Sequence, residues 1–194
     1  MVCVLNEGVN NGMREFFIKK WLLVISFVFI AYAWGMIAKS ESYSEPQEAL
    51  LSKDSDLVLI PSYQLKDKAL FFFIKKTNHI GAAYVEKGLF GWNAQMLTWS
   101  QMDMERGYEK LDDIKGHGDS LIYGLIRNGD ERLVKIGESY ATILDLAVLL
   151  PPSEVENYRL EGLFIWYFEG HTSPNEEEIT LINKITQEEL DAYF

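Results

Sequence analysis

The chain carries two kinds of apolar pattern, and they separate near residue 40. From Trp21 to Ala38 it reads WLLVISFVFIAYAWGMIA, eighteen residues with no formal charge and Ser26 as the clearly polar side chain. As a helix this run is about 27 Å long, close to the roughly 30 Å hydrocarbon core of a bilayer. A helix satisfies its backbone polar groups internally, as a lipid environment demands. The pattern therefore predicts a transmembrane helix over residues 21–38, in contact with the lipid bilayer through Trp21, Leu22, Leu23, Val24, Ile25, Phe27, Val28, Phe29, Ile30, Trp34 and Ile37. Arg14, Lys19 and Lys20 precede the run and set its topology. The positive-inside rule puts the N-terminus in the cytoplasm and residues 39–194 outside the cell membrane.

Two other readings compete. A core helix of a soluble protein is rarely apolar all round in so small a domain. A cleaved signal peptide fits the A-x-A site Ala31-Tyr32-Ala33 and would release a secreted protein near Ala33. Apolarity continuing through Trp34, Met36, Ile37 and Ala38 favours the retained anchor. Both export the rest of the chain. Glu7-Gly8-Val9 is what a purine-rich ribosome-binding site encodes when read in frame, so translation is expected to start at Met13.

Beyond the span the period shortens to that of strands. The expected organisation is a cytoplasmic N-terminus over 1–20, the helix over 21–38, a polar stalk and short helix over 39–56, and a β-rich extracytoplasmic domain over 57–194. Ser44 with Gln47 reads as a capping box opening a helix through Leu51. Leu57–Ile60 reads as a strand stopped by Pro61, and Lys68–Lys75 as a strand apolar on both faces. Ile80–Lys87 returns after a turn, Gly88–Trp92 bends the chain, and Asn93–Trp99 is the next strand. Glu105–Gly118 is polar and glycine-rich, which predicts a long surface loop. Leu121–Ile126 and Leu133–Gly137 flank Asn128-Gly129, a strong hairpin signal, and repeat the layout of residues 70–88. Tyr140–Leu150 fits strand or helix, Leu163–Phe168 and Ile179–Ile182 read as strands, and Thr186 with Glu189 suggests a final short helix. The fold class is one N-terminal helix plus a mainly-β, or β-rich α+β, domain of antiparallel meanders, as two packed sheets or a sheet with helices.

Charge narrows the partners. The net charge is -11, and residues 1–38 hold Arg14, Lys19 and Lys20 against Glu7 and Glu15, so the remainder sums to -12. Such a field repels phosphate backbones and anionic headgroups, arguing against nucleic acid, and tolerates cations, basic peptides and neutral glycans. The single cysteine, Cys3, lies before the apolar run, which leaves no intramolecular disulfide and no cysteine-based zinc site.

The runs ALFFFIKKTNHIGAAYVEKGLFGW, LIYGLIRNGDERLVKIG and GLFIWYFEG before ITLIN resemble the small, N-terminally anchored extracytoplasmic proteins of Gram-positive bacteria that carry no assigned activity. The resemblance spans most of residues 20–185. It implies export and nothing catalytic.

Candidate chemistry is sparse. His79, His117 and His171 each sit among turn-forming residues and read as solvated loop histidines, none at metal-ligand spacing from another. Gly116-His117-Gly118-Asp119 is the most enzyme-like fragment. Nucleophile elbow, HExxH, Walker A and EF-hand patterns are absent, so no catalytic, cofactor-binding or metal-ligating residue is assigned and no cofactor is expected. Glu105, Glu109, Asp112 and Asp113 supply carboxylates for glycosidase-type chemistry without marking a pair, and these or Glu176-Glu177-Glu178 would hold calcium only weakly. Trp92, Trp99 and Trp166, with Tyr84, Tyr167 and Phe168, either fill the core or form a stacking surface for an envelope protein or glycan. The leading expectation is a non-catalytic, membrane-anchored binding or envelope-associated module. An anchored carboxylate-dependent hydrolase of envelope glycans or peptides is the alternative, and it requires a cleft with convergent carboxylates, one with a raised pKa. A sensor reporting through the helix is a third.

Overall fold

A computed structural model describes residues 8–76, 78–103, 105–111, 113–170 and 179–192. No proline and only small interruptions break the sequence before Ser40, and helix α1 accordingly runs Gly8–Ser40, starting well before the apolar stretch. Its Lys19–Ser40 portion is long and apolar enough to cross a membrane, and none of the residues in its apolar stretch is buried. Its length and composition suit a membrane anchor or a signal sequence. Serine hydroxyls close its end: Ser40 Oγ donates to the Ile37 carbonyl at 2.8 Å and Ser42 Oγ to that of Ala38 at 2.6 Å.

Helix α2, Pro46–Leu51, follows with Pro46 in the first turn, where a missing N–H costs nothing. Its cap lies one residue later than Ser44 and Gln47 suggest. Glu48 is the residue that reaches back, accepting from Ser44 Oγ at 2.7 Å and from the Glu45 N–H at 3.4 Å. Ala49 and Leu50 are fully buried against a sheet, so this segment belongs to the domain's core. The stretch read as a stalk is no free tether either, because Tyr43 and Trp92 exchange backbone hydrogen bonds at 3.0 and 2.8 Å.

Among the described residues the strands form three antiparallel sheets. Sheet A holds β1 (Val58–Gln64), β2 (Lys68–Lys75) and β3 (His79–Lys87), with β4 (Trp92–Ala94) and β5 (Thr98–Gln101) both on the far edge of β3. Sheet B is built from β6 (Lys115–His117), β7 (Leu121–Arg127), β10 (Thr142–Asp145) and β11 (Leu163–Glu169), in the order β10-β11-β7-β6. Sheet C contains β8 (Arg132–Ile136), β9 (Ser139–Tyr140), β12 (Ile179–Asn183) and β13 (Glu189–Ala192), in the order β13-β12-β8-β9. Two short helices, α3 (Leu146–Leu149) and α4 (Pro152–Asn157), lie between β10 and β11.

Strand alternation sorts the side chains into layers. Leu70, Phe72 and Ile74 of β2 face Tyr123, Leu125, Ile165 and Tyr167 of sheet B. From the opposite face of β2, Ala69, Phe71 and Phe73 pack on Ala49 and Leu50 of α2. Sheet B repeats the arrangement, its second face (Ile122, Ile126, Phe164, Trp166) meeting Val134, Ile136, Ile179 and Leu181 of sheet C. The order is thus α2, A, B, C. It explains why β2, β7 and β11 are apolar on both faces: each lies in a layer covered on both sides.

Several expectations change. Pro61 does not stop β1, since β1 is an edge strand that needs no N–H there and takes a register irregularity between Pro61 and Tyr63. The segment 93–99 splits into β4 and β5. The loop 105–118 is partly internal, with Tyr108 and Leu111 buried and β6 at its end. The final segment is the strand β13 rather than a helix, because Asn183 Oδ1 accepts from the N–H groups of Ile185 and Thr186 and turns the chain back onto β12.

The Asn128-Gly129 hairpin is also corrected. β7 belongs to sheet B and β8 to sheet C, so the two do not pair and the hairpin of β2 and β3 is not duplicated. A type I′ turn needs positive φ at both central residues, and of these two only Asn128, at φ 56°, has it. Gly129 serves packing instead. A Cβ there would lie 2.6 Å from Phe164 Cγ and 2.9 Å from Ile143 Cγ2, so only glycine lets the chain cross from one layer to the next.

Candidate functional site

Charged and phenolic groups converge most closely, among the described residues, at the end of the A/B interface. Glu169 closes the inner face of β11, following Ile165 and Tyr167 at alternate positions. Opposite it, Tyr63 and Tyr84 flank Leu70 on neighbouring strands of sheet A, and Lys68 stands two residues before Leu70. One carboxylate oxygen, Glu169 Oε1, accepts from Tyr84 Oη at 2.6 Å, Tyr63 Oη at 3.0 Å and Lys68 Nζ at 3.1 Å. The Lys68 ammonium also lies 3.9 Å from the centre of the Tyr84 ring.

Burial by itself would raise the pKa of Glu169, but the hydrogen bonds from Tyr84, Tyr63 and Lys68, with the charge of Lys68, outweigh it and hold the carboxyl below its ordinary range. Burial and the facing carboxylate push both phenols well above theirs. The carboxylate is therefore an ionised acceptor, one of whose oxygens takes three donors. It ties the two sheets together, and its lowered pKa keeps Glu169 in the ionised form.

Beside it runs a seam between the sheets. β5 pairs with β3 and β6 pairs with β7, and among the described residues neither strand pairs with a second neighbour. Side chains alone join them. Thr98 Oγ1 and His117 Nδ1 are 2.5 Å apart, and the His117 ring lies 5.4 Å from that of Tyr84. A groove of about 270 Å³ opens here, lined by Thr98, Trp99, Ser100, Asp113, Lys115 and Tyr123 among others. Lys115 Nζ and Asp113 Oδ1 form a 2.6 Å ion pair on one wall, with Lys115 largely buried. On the other, the hydroxyl of Ser100 is buried without a protein partner. Trp99 is half exposed at the rim, with Lys75 Nζ 4.2 Å from its ring centre.

The structure disperses most of the residues singled out from sequence. Trp92 and Trp166 are buried, in the α2/A and B/C layers respectively, so neither belongs to a binding surface and only Trp99 remains exposed. His117 is not a solvated loop histidine: it is 5% exposed, and burial lowers its pKa. His79 opens β3 opposite Lys75 and Gln101 and is half-buried. Glu109 pairs with Arg132 at 2.6 Å while Asp113 pairs with Lys115, so these carboxylates do not converge. Glu105 lies in a separate polar depression of about 490 Å³ with Asp103, whose side chain accepts the Glu105 N–H. His171, Asp112 and Glu176–Glu178 lie outside the described residues, as does the side chain of Arg14. Among the described residues no group of three metal-ligating side chains assembles.

Glu169 was missed in the sequence. Its one signal is position: a carboxylate ending an otherwise apolar inner face of a strand, preceded by LFIWYF. No protein-family model, curated protein or solved structure matches this chain.

Proposed function

We propose that this protein is a membrane-anchored, extracytoplasmic binding module, held by α1 with its N-terminus in the cytoplasm, and that its seam between β5 and β6 takes an extended segment of an envelope protein. The anchor is supported by the largely exposed apolar surface of Lys19–Ser40, none of whose apolar residues is buried, with Lys19 and Lys20 at its cytoplasmic end. The observation that carries the binding reading is the seam itself, two strand edges facing each other across a groove with an unpartnered buried hydroxyl and an exposed tryptophan. Strand addition suits such a place, because main-chain hydrogen bonds supply affinity and flanking side chains supply selectivity. The acidic domain favours a neutral or basic segment.

The hydrolase alternative lacks comparable support. It needs a carboxyl group with a raised pKa, whereas among the described residues Glu48, Asp54 and Glu169 are held below their ordinary range by their hydrogen bonds. A C-terminal tag on membranes of intact, wall-stripped cells should be removed by added protease; a protected tag refutes the orientation, and a tag in the medium means cleavage near Ala33. A photo-crosslinking residue at Trp99 in such cells should give one discrete adduct that Ser100→Arg, filling the groove, abolishes. An adduct indifferent to Ser100→Arg would count against the seam.

A further inference from the structure

We infer that the turn joining β3 to β4 is a second membrane contact, resting Leu89 and Phe90 in the interfacial layer of the same bilayer that α1 crosses. The inference rests on the anchored reading above. Gly88-Leu89-Phe90-Gly91 is a tight turn, closed by a hydrogen bond from the Gly88 N–H to the Gly91 carbonyl at 2.8 Å. Instead of the polar tip usual for a turn in water, it presents Leu89, 92% exposed, and Phe90, about half exposed.

Two features tie this turn to the end of the helix. The Tyr43–Trp92 backbone pair fastens the chain leaving α1 to the base of the turn. Gly91, at φ 147°, lies so close to that chain that a Cβ would sit 2.4 Å from the Tyr43 carbonyl oxygen. The turn is therefore held beside the helix, and Leu89 and Phe90 share a groove of about 290 Å³ with Trp34, Ala38 and Ser42.

Depth follows from the helix geometry. Ala38 ends the apolar run, and Trp34 lies one turn earlier, about 6 Å nearer the bilayer centre. A bilayer that covers the apolar run as far as Ala38 reaches the level of a turn that packs alongside Trp34. Tryptophan at the last turn of a span is itself an interfacial residue. The contact is apolar, as an acidic domain requires, since charge would not draw it to anionic headgroups. Its consequence is orientation: the domain is seated on the membrane at two points and presents its seam at a fixed attitude.

The test uses the full chain, in a Cys3→Ser background, reconstituted into phosphatidylcholine vesicles whose acyl chains carry bromine near the carbonyl end. A fluorophore is attached at one of Leu89→Cys, Phe27→Cys or Val148→Cys. Val148 is exposed on α3, which packs on β1 at the opposite edge of sheet A, and serves as the distant reference. Bromine should quench the label at 89 and leave that at 148 bright, with the label at 27 responding to bromine placed deeper in the chains. A label at 89 as bright as that at 148, while 27 is quenched, overturns the second contact alone. A label at 27 that no bromine position quenches overturns the anchor, and the second contact with it. As an independent reading, Leu89→Asp with Phe90→Asp should leave the melting temperature unchanged and lower the anisotropy of a label at 148. Unchanged anisotropy would also refute the contact.

Discussion

The 21–38 stretch of helix α1 and the centre of strand β2 are each apolar on every side, and the chain provides for them in opposite ways. In β2, Ala69 to Ile74 are at most 1% exposed, with β1 and β3 on the two edges, α2 on one face and sheet B on the other. In α1, Phe27 and Phe29 are 75% and 71% exposed, and no residue of that apolar stretch is buried. The difference lies in the backbone. A strand must borrow hydrogen-bonding neighbours, and those neighbours bring cover with them. A helix satisfies itself, so its apolar surface is left for whatever solvent surrounds it. Moving about ten large side chains from water into hydrocarbon is worth on the order of 20 kcal/mol. That driving force is what the proposed anchor uses, and the domain has no share in it.

The sharpest way to break this contrast is to truncate one phenylalanine on each side of it. Phe72 lies between sheets A and B, with its ring centre 5.2 Å from that of Tyr123 and 5.4 Å from that of Tyr167. Phe72→Ala should cost the domain about 3–5 kcal/mol. Phe29→Ala should change domain stability by less than about 0.5 kcal/mol. Denaturant titration of the full chain in nanodiscs, followed by near-ultraviolet circular dichroism, measures both. Equal losses would mean that α1 is covered by the domain after all.

The same contrast explains what could be read from the sequence. The long apolar helix, β2, β3, β11 and β12 were legible because apolar runs of those lengths have few solutions, and Glu86–Lys87 and Lys75–Lys76 mark polar ends of the strands. The layer order was not. Nothing local distinguishes a glycine that turns a hairpin from Gly129, which makes room for Phe164 thirty-five positions later. His117 was misplaced for a related reason. Flanking glycines suggest a solvated turn, but its cover comes from Thr98 and Tyr84 on another sheet. Glu169 escaped notice because the partners that define it, Tyr63, Lys68 and Tyr84, lie 85 to 106 residues away.

A smaller effect tests the layering directly. Gly129→Ala forces a methyl group against Phe164 and Ile143, and should destabilise by about 1–3 kcal/mol through overpacking. Relief should come from the neighbouring layer: Phe164→Leu in the same chain should recover on the order of 1 kcal/mol of that loss, a coupling expected only of residues in contact. If β7 and β8 formed a simple hairpin instead, the two substitutions would add without coupling. A double-mutant cycle on denaturation midpoints separates these outcomes.

The smallest effects belong where the buried layer meets water, and pH resolves them. His117 is buried with a lowered pKa, so its neutral form is the folded one. Its contribution is complete above the ordinary value of 6.5 and is lost as pH falls from there through the lower folded value, because the unfolded chain takes the proton more readily. Glu169 is also lowered, so its contribution is complete above the ordinary 4.5 and is lost as pH falls through its folded pKa. Acid should therefore weaken the domain in two stages. His117→Gln should remove the first, the fall that begins near pH 6.5, and leave the second intact. Glu169→Gln should cost about 1–2 kcal/mol at neutral pH through weakened hydrogen bonds, and its stability should meet that of the wild type once acid has protonated the native carboxyl. Melting temperatures taken at half-unit steps from pH 8 to pH 3 would resolve the order. A wild-type curve flat down to the carboxylate range would show that His117 reaches water, and the seam would then be open enough for its imidazole to titrate freely.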